Sequence, residues 1–89
     1  MRRSFEPSFN WDGIALVQTC GSCPEQYDAY RGGAKVGYLR LRHGSFRVED
    51  RQGDIVLQGS PDGDGCFEEY EREKWLIAAC RAIKRSLAN

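Results

Sequence analysis

The chain carries one histidine, one methionine and three prolines, and neither sign of charge prevails: 13 lysines and arginines face 13 aspartates and glutamates. Each shortage excludes something. His43 is the lone imidazole, no Ser/His/Asp constellation lies within its reach, and no GxxxxGK[ST] phosphate loop is present. Neither catalytic residues nor a cofactor are therefore expected. The neutral total removes any overall pull toward nucleic acid or an anionic membrane and leaves electrostatic function to local clusters. Long apolar runs are also missing; the longest, Trp75 to Cys80, falls far short of the ~20 residues of a membrane span. The opening MRRSFEPSFNW has two arginines with no apolar stretch behind them. That predicts no secretory leader and a cytoplasmic chain whose four cysteines are free thiols.

Few prolines, with 40% hydrophobic and 29% charged residues, describe an ordered globule rather than a disordered chain, and 89 residues leave room for one core. Residues 1–10 mix charge, Ser, Pro and Phe without a period and read as a partly ordered arm. A single domain is expected over 11–89.

Glycine, by contrast, is plentiful, and it falls where strands must reverse. Trp11 to Thr19 holds the run Ile14-Ala15-Leu16-Val17, which suits a buried strand. Tyr27–Arg31 and Ala34–Val36 flank Gly32-Gly33, a pair that supplies positive φ at both positions of a tight turn. Val36–Arg42 leads to His43-Gly44, and Ser45–Glu49 then alternates again. With His43-Gly44 as a two-residue turn, Leu39 faces Val48, Leu41 faces Phe46 and Arg40 faces Arg47. Leu39, Leu41, Phe46 and Val48 then share one side; Tyr38, Arg40, Arg42 and Arg47 share the other. Asp50–Gly53 is the next predicted turn, bringing Ile55 opposite Val48 and Leu57 opposite Phe46. Gly37 leaves two arrangements open: strict alternation sends Val36 to the arginine side, and a bulge turns it into the core.

Beyond the loop of residues 58–65, with Asp64 as the expected cap, the period becomes helical from Cys66. Leu76, Cys80, Ile83 and Leu87 form a stripe with Ile77 beside it. Glutamates fill the first half of this segment and basic residues its end, matching the helix dipole, and Glu68 with Arg72 makes a four-apart pair. Trp75 lies off the stripe, which marks it as part of a contact surface or as a partner for the amino-terminal arm. The expected fold is α+β: an antiparallel meander of about five strands with one long C-terminal helix on its apolar face.

Three patterns bear on chemistry. Cys20-Gly21-Ser22-Cys23 has the spacing of a redox motif, but such a motif needs a following helix and an alternating strand–helix fold. The same pair is half a zinc site; Cys66 and Cys80, fourteen apart, would stand about 21 Å apart along a helix and cannot share one ion. A turn with nearby thiols is the preferred reading, and a thiol- or zinc-dependent protein using Cys20 and Cys23 is the alternative. PDGDGCFEE places Asp62 and Asp64 two apart like a calcium loop, but Cys66 breaks the alternation, so a turn is expected there.

The remaining surface is the arginine side of the ribbon: Tyr38, Arg40, Arg42 and Arg47, joined by Tyr27 if Gly32-Gly33 sets Tyr27 opposite Tyr38. Like charges directly opposite each other are unfavourable. Arg40 and Arg47 therefore call for compensation, from Glu49 and Asp28 or from an anionic partner. A non-catalytic binding module is expected, with another protein as the first partner and nucleic acid as the second, since arginine beside tyrosine on a sheet also suits single strands. The oligomeric state is left open.

Two resemblances bear on this reading. YDAYRGGAKVGYLRLRHGSFRV, followed by GDGCFEEYEREKWLIAACRAIKRSL, resembles small proteins encoded in bacterial and bacteriophage-related genomes, over residues 23 to 87, and implies no activity. The hairpin YDAYRGGAKVGYLRL is similar to the central hairpin of acetyl-CoA-dependent N-acetyltransferases. It implies sheet geometry alone, because Gly63-Asp64-Gly65 lacks the basic residue and carries aspartate where those enzymes bind pyrophosphate at a helix start.

Overall fold

In the computed structural model, which describes residues 7–20 and 23–88, six strands run in sequence order as an antiparallel sheet, with one helix after them. The strands are β1 (Phe9–Trp11), β2 (Ile14–Gln18), β3 (Glu25–Arg31), β4 (Ala34–Arg42), β5 (Ser45–Asp50) and β6 (Ile55–Gly59); the helix is α1 (Glu69–Leu87). This is the expected α+β meander with one strand more. The extra strand comes from a hairpin at Asp12-Gly13, where both residues take positive φ and Trp11 pairs with Ile14. Phe9 and Asn10, grouped above with the arm, belong to β1; residues 1–6 lie outside the described residues.

Two more hairpins turn on the same device. Gly32-Gly33 and His43-Gly44 all have positive φ, and the pairs Arg31↔Ala34 and Arg42↔Ser45 close them. The central register is the one the alternation demands: Leu39↔Val48, Arg40↔Arg47 and Leu41↔Phe46. Leu39, Leu41, Phe46 and Val48 are fully buried, with Ile14, Leu16 and Ala29 beside them.

The alternative left open at Gly37 resolves to a bulge. Ala29 pairs with Gly37 and Tyr30 with Lys35, so Val36 has no partner and turns into the core. Gly37 lies under the helix, where a Cβ would sit 2.6 Å from Ile83 Cδ1 and 2.9 Å from the Glu49 carbonyl oxygen.

The β5–β6 register differs from expectation by two residues. Val48 pairs with Leu57 and Phe46 with Gly59. Two features share the shift: the Asp50 carboxylate accepts from the amides of Gln52 and Asp54, which organises a turn wider by one residue, and a bulge opposite Val48/Glu49 leaves Val56 without a partner and adds the second. Ile55, expected in the core, is half exposed. Gly59 instead arrives under Trp75, whose ring a Cβ there would meet at 2.6 Å. Trp75 thus packs on Phe46, ring centroids 5.7 Å apart, as a half-buried margin of the core; most of the arm lies outside the described residues.

The helix starts later than its period implied. Glu68, not Asp64, is the cap, and its amide donates to Glu71 Oε2 at 3.0 Å. Leu76, Cys80 and Ile83 are buried with Ala79 and Ala82; Leu87 packs at the margin and Ile77 is half-buried. Burial pushes the Cys80 thiol up to about 11, so it remains a small neutral core residue. Lys84 pairs with Asp12 at 2.6 Å and Arg81 lies over the Trp11 ring, tying the end of α1 to the first hairpin.

Candidate functional site

With α1 on one face of the sheet, no described element covers the other. Pairing arranges that open face in rows running across the strands. One row is Gln26, Arg40, Arg47 and Gln58; the next is Val17, Asp28, Tyr38 and Glu49; a third is Ala15, Tyr30 and Lys35. Arg42 and Ser45 close the end near the His43-Gly44 turn. Tyr38, Arg40, Arg42, His43, Ser45, Arg47 and Glu49 line a depression of about 300 Å³.

Four of the five expected binding residues are therefore together: Tyr38, Arg40, Arg42 and Arg47. Tyr27 is not. The bulge at Val36 shifts the pairing so that Tyr27 meets Leu39, and a one-residue shift moves a side chain to the other face. Tyr27 is 3% exposed in the core. Tyr30 takes its place on the open face, beside Ala15, Val17, Pro7 and Gly33 around a second, apolar depression. The signal for Tyr30 lay in Gly37: had the bulge been assumed, the alternation of β3 would have inverted.

The acidic neighbours do not neutralise the arginines. Asp28 is held by Lys35 at 3.1 Å, and among the described residues no carboxylate forms an ion pair with Arg40, Arg42 or Arg47. Arg40 Nε is shielded from solvent with no acceptor among the described residues. A donor left so costs stability, as does the facing Arg47. Tyr38 is fixed more firmly: its hydroxyl donates to Gln26 Oε1 at 2.6 Å, and Lys35 Nζ lies 5.7 Å from its ring centroid.

The thiols are arranged differently from any expectation above. Cys23 is bonded to Cys66, across 43 residues, and Cys20 is a half-buried free thiol. Four free thiols is thus corrected to two, and Cys23 is committed as a sulfur rather than available as a thiolate beside Cys20. Gly21 and Ser22 lie outside the described residues. The bond joins the start of β3 to the loop before α1, and a cis peptide precedes Pro24. Among the described residues no cluster of three or more His, Cys, Asp or Glu side chains could hold a metal ion.

Beside that bond lies a charged cluster that sequence reading missed. Glu25, 2% exposed, accepts from Arg72 Nε at 2.8 Å, from the Phe67 amide at 2.9 Å and from the Tyr27 hydroxyl. Burial opposes ionisation of Glu25, but the hydrogen bonds from Arg72, Tyr27 and Phe67 outweigh it and hold the carboxyl below its usual range. Burial and the bond to Glu25 push the Tyr27 phenol far above its own. Arg72 also pairs with Glu69 at 3.0 Å, in place of the expected Glu68. Glu71, 4% exposed, accepts from the amides of Asp62, Gly63 and Glu68 and from Trp75 Nε1. It is the organiser of the acidic loop. Every partner described in these two clusters belongs to the chain itself, so both clusters fasten the fold.

Compared with protein families, with curated proteins and with solved structures, the chain matches none. The two resemblances rest on their quoted segments alone. No helix is long and apolar enough to cross a membrane among the described residues.

Proposed function

We propose that the chain is a non-catalytic binding module whose contact surface is the uncovered sheet face around Tyr38, Arg40, Arg42 and Arg47. One observation carries this reading: Arg40 and Arg47 stand directly opposite each other with no described carboxylate paired to either. Such an arrangement works against folding, and an anionic group brought by a partner relieves it. Arginine and tyrosine are also the residue types that concentrate binding energy at interfaces. A cytoplasmic place of action sets one demand on this reading: the Cys23–Cys66 bond has to persist against the reducing pool there.

The double variant Arg40→Ala/Arg47→Ala tests the reading. Removing two charges that repel each other, one of them with a shielded and unpartnered donor, is expected to leave stability unchanged or to raise it by up to about 1 kcal/mol. Partner capture by the purified variant should fall at least roughly ten-fold, as for loss of interface arginines. Unchanged capture of every partner retained by the parent chain would discard this surface.

A further inference from the structure

We infer that the partner presented to this face is an acidic protein segment with an apolar anchor, an inference that rests on the reading just given. The open face has two halves. Around Arg40, Arg42 and Arg47 it is basic; around Ala15, Val17 and Tyr30 it is apolar, with a depression of about 360 Å³. Val17 lies two strands from Arg40 and one row away from it. At about 4.8 Å between strands and about 6.7 Å between rows, the halves are roughly 10–15 Å apart. An extended peptide spans that distance with about three or four residues. A segment with an aliphatic side chain at one end and carboxylates at the other therefore meets both halves, each guanidinium fork donating to a carboxylate in its plane.

Nucleic acid fits this face less well. A single strand needs an aromatic ring open for stacking and a continuous positive groove. The Tyr38 ring has Lys35 over it and its hydroxyl is tied to Gln26. The apolar half offers the aliphatic side chains of Ala15 and Val17 beside a single tyrosine. With 13 basic and 13 acidic residues, the chain as a whole adds no attraction for a polyanion.

Four fluorescein-labelled probes test this by anisotropy: a peptide with a Leu-Leu pair, a short Gly-Ser spacer and a run of glutamates; the same peptide with glutamines; the same peptide with serines for leucines; and oligothymidine. The first peptide should bind at least roughly ten-fold tighter than the other three, and lose affinity as salt is raised from about 50 mM to about 500 mM. Arg47→Ala and Val17→Ser should each weaken it by roughly ten-fold, with circular dichroism unchanged. Tighter binding of oligothymidine, abolished by Arg47→Ala, would overturn the acidic-segment inference while keeping the face as the contact surface. Equal binding of the first peptide and either altered peptide would also overturn the inference. If Arg47→Ala and Arg40→Ala leave the binding of every probe unchanged, the reading of the face falls as well.

Discussion

Replacing Glu25 by alanine is expected to lower unfolding free energy by about 3 kcal/mol, near the lower end of the range for breaking a buried ion pair. Three donors lose their acceptor together: the Phe67 amide, the Tyr27 hydroxyl and the Arg72 guanidinium. The loss stays at the lower end because Arg72 is partly exposed and keeps Glu69. For a domain of 89 residues, whose total stability is roughly 4–13 kcal/mol, this corresponds to a fall in Tm of about 12–24 °C. Denaturant melts followed by tryptophan fluorescence measure it. The pH dependence carries a second signature. Glu25 and Glu71 have depressed carboxyl values, so their contribution is present above the unfolded value near 4.5 and disappears as pH falls through the lower folded value. Tyr27 runs the other way, raised in the folded state, so its share is present below its unfolded value of 10.0 and fades as pH rises above it. The Glu25→Ala variant should therefore show a shallower acid limb than the parent chain, and an equal limb would show that the fold does not hold the Glu25 carboxyl below its unfolded value.

The second large effect is expected at the disulfide. Closing a loop across 43 residues removes about 4 kcal/mol of unfolded-chain entropy on the polymer estimate, and native bridges in small domains deliver roughly 2–4 kcal/mol. Cys66→Ser, or reduction of the parent chain, should cost that amount, while Cys20→Ser should cost little, since Cys20 is a half-buried free thiol. Peptide mapping under non-reducing conditions should find Cys23 joined to Cys66. Finding Cys20 joined to Cys23 would return that pair to its reading as a redox motif.

These two fastenings were hidden in the sequence for a physical reason. Glu25 meets Arg72 across 47 residues, and Cys23 meets Cys66 across 43. Neither partnership leaves a periodicity, because each is set by where β3 and the loop before α1 come to lie. What alternation does encode is local: two segments meeting at His43-Gly44 agree on their faces, and that alone fixes Leu39, Leu41, Phe46 and Val48 inside and three arginines outside. Bulges defeat the same logic. Val36 inverts the outward set of β3, exchanging Tyr27 for Tyr30, and the wider turn after Asp50 together with a second bulge at Val56 slides β6 by two residues. The missing strand was legible in principle. Asp12-Gly13 between Trp11 and Ile14 is among the strongest hairpin signals, outweighed by the charge and proline of the residues ahead of it. In the site, the basic half was readable from alternation, whereas the apolar half needed β2 and β3 placed side by side.

The uncovered face as the contact surface is tested most directly by a photo-reactive amino acid placed at Arg47 and, separately, at Glu73, which is exposed on α1. After irradiation of the chain with the anchored acidic peptide, adducts are expected from position 47 and not from position 73. Adducts from position 73 alone would move the contact to the helix side and contradict the account.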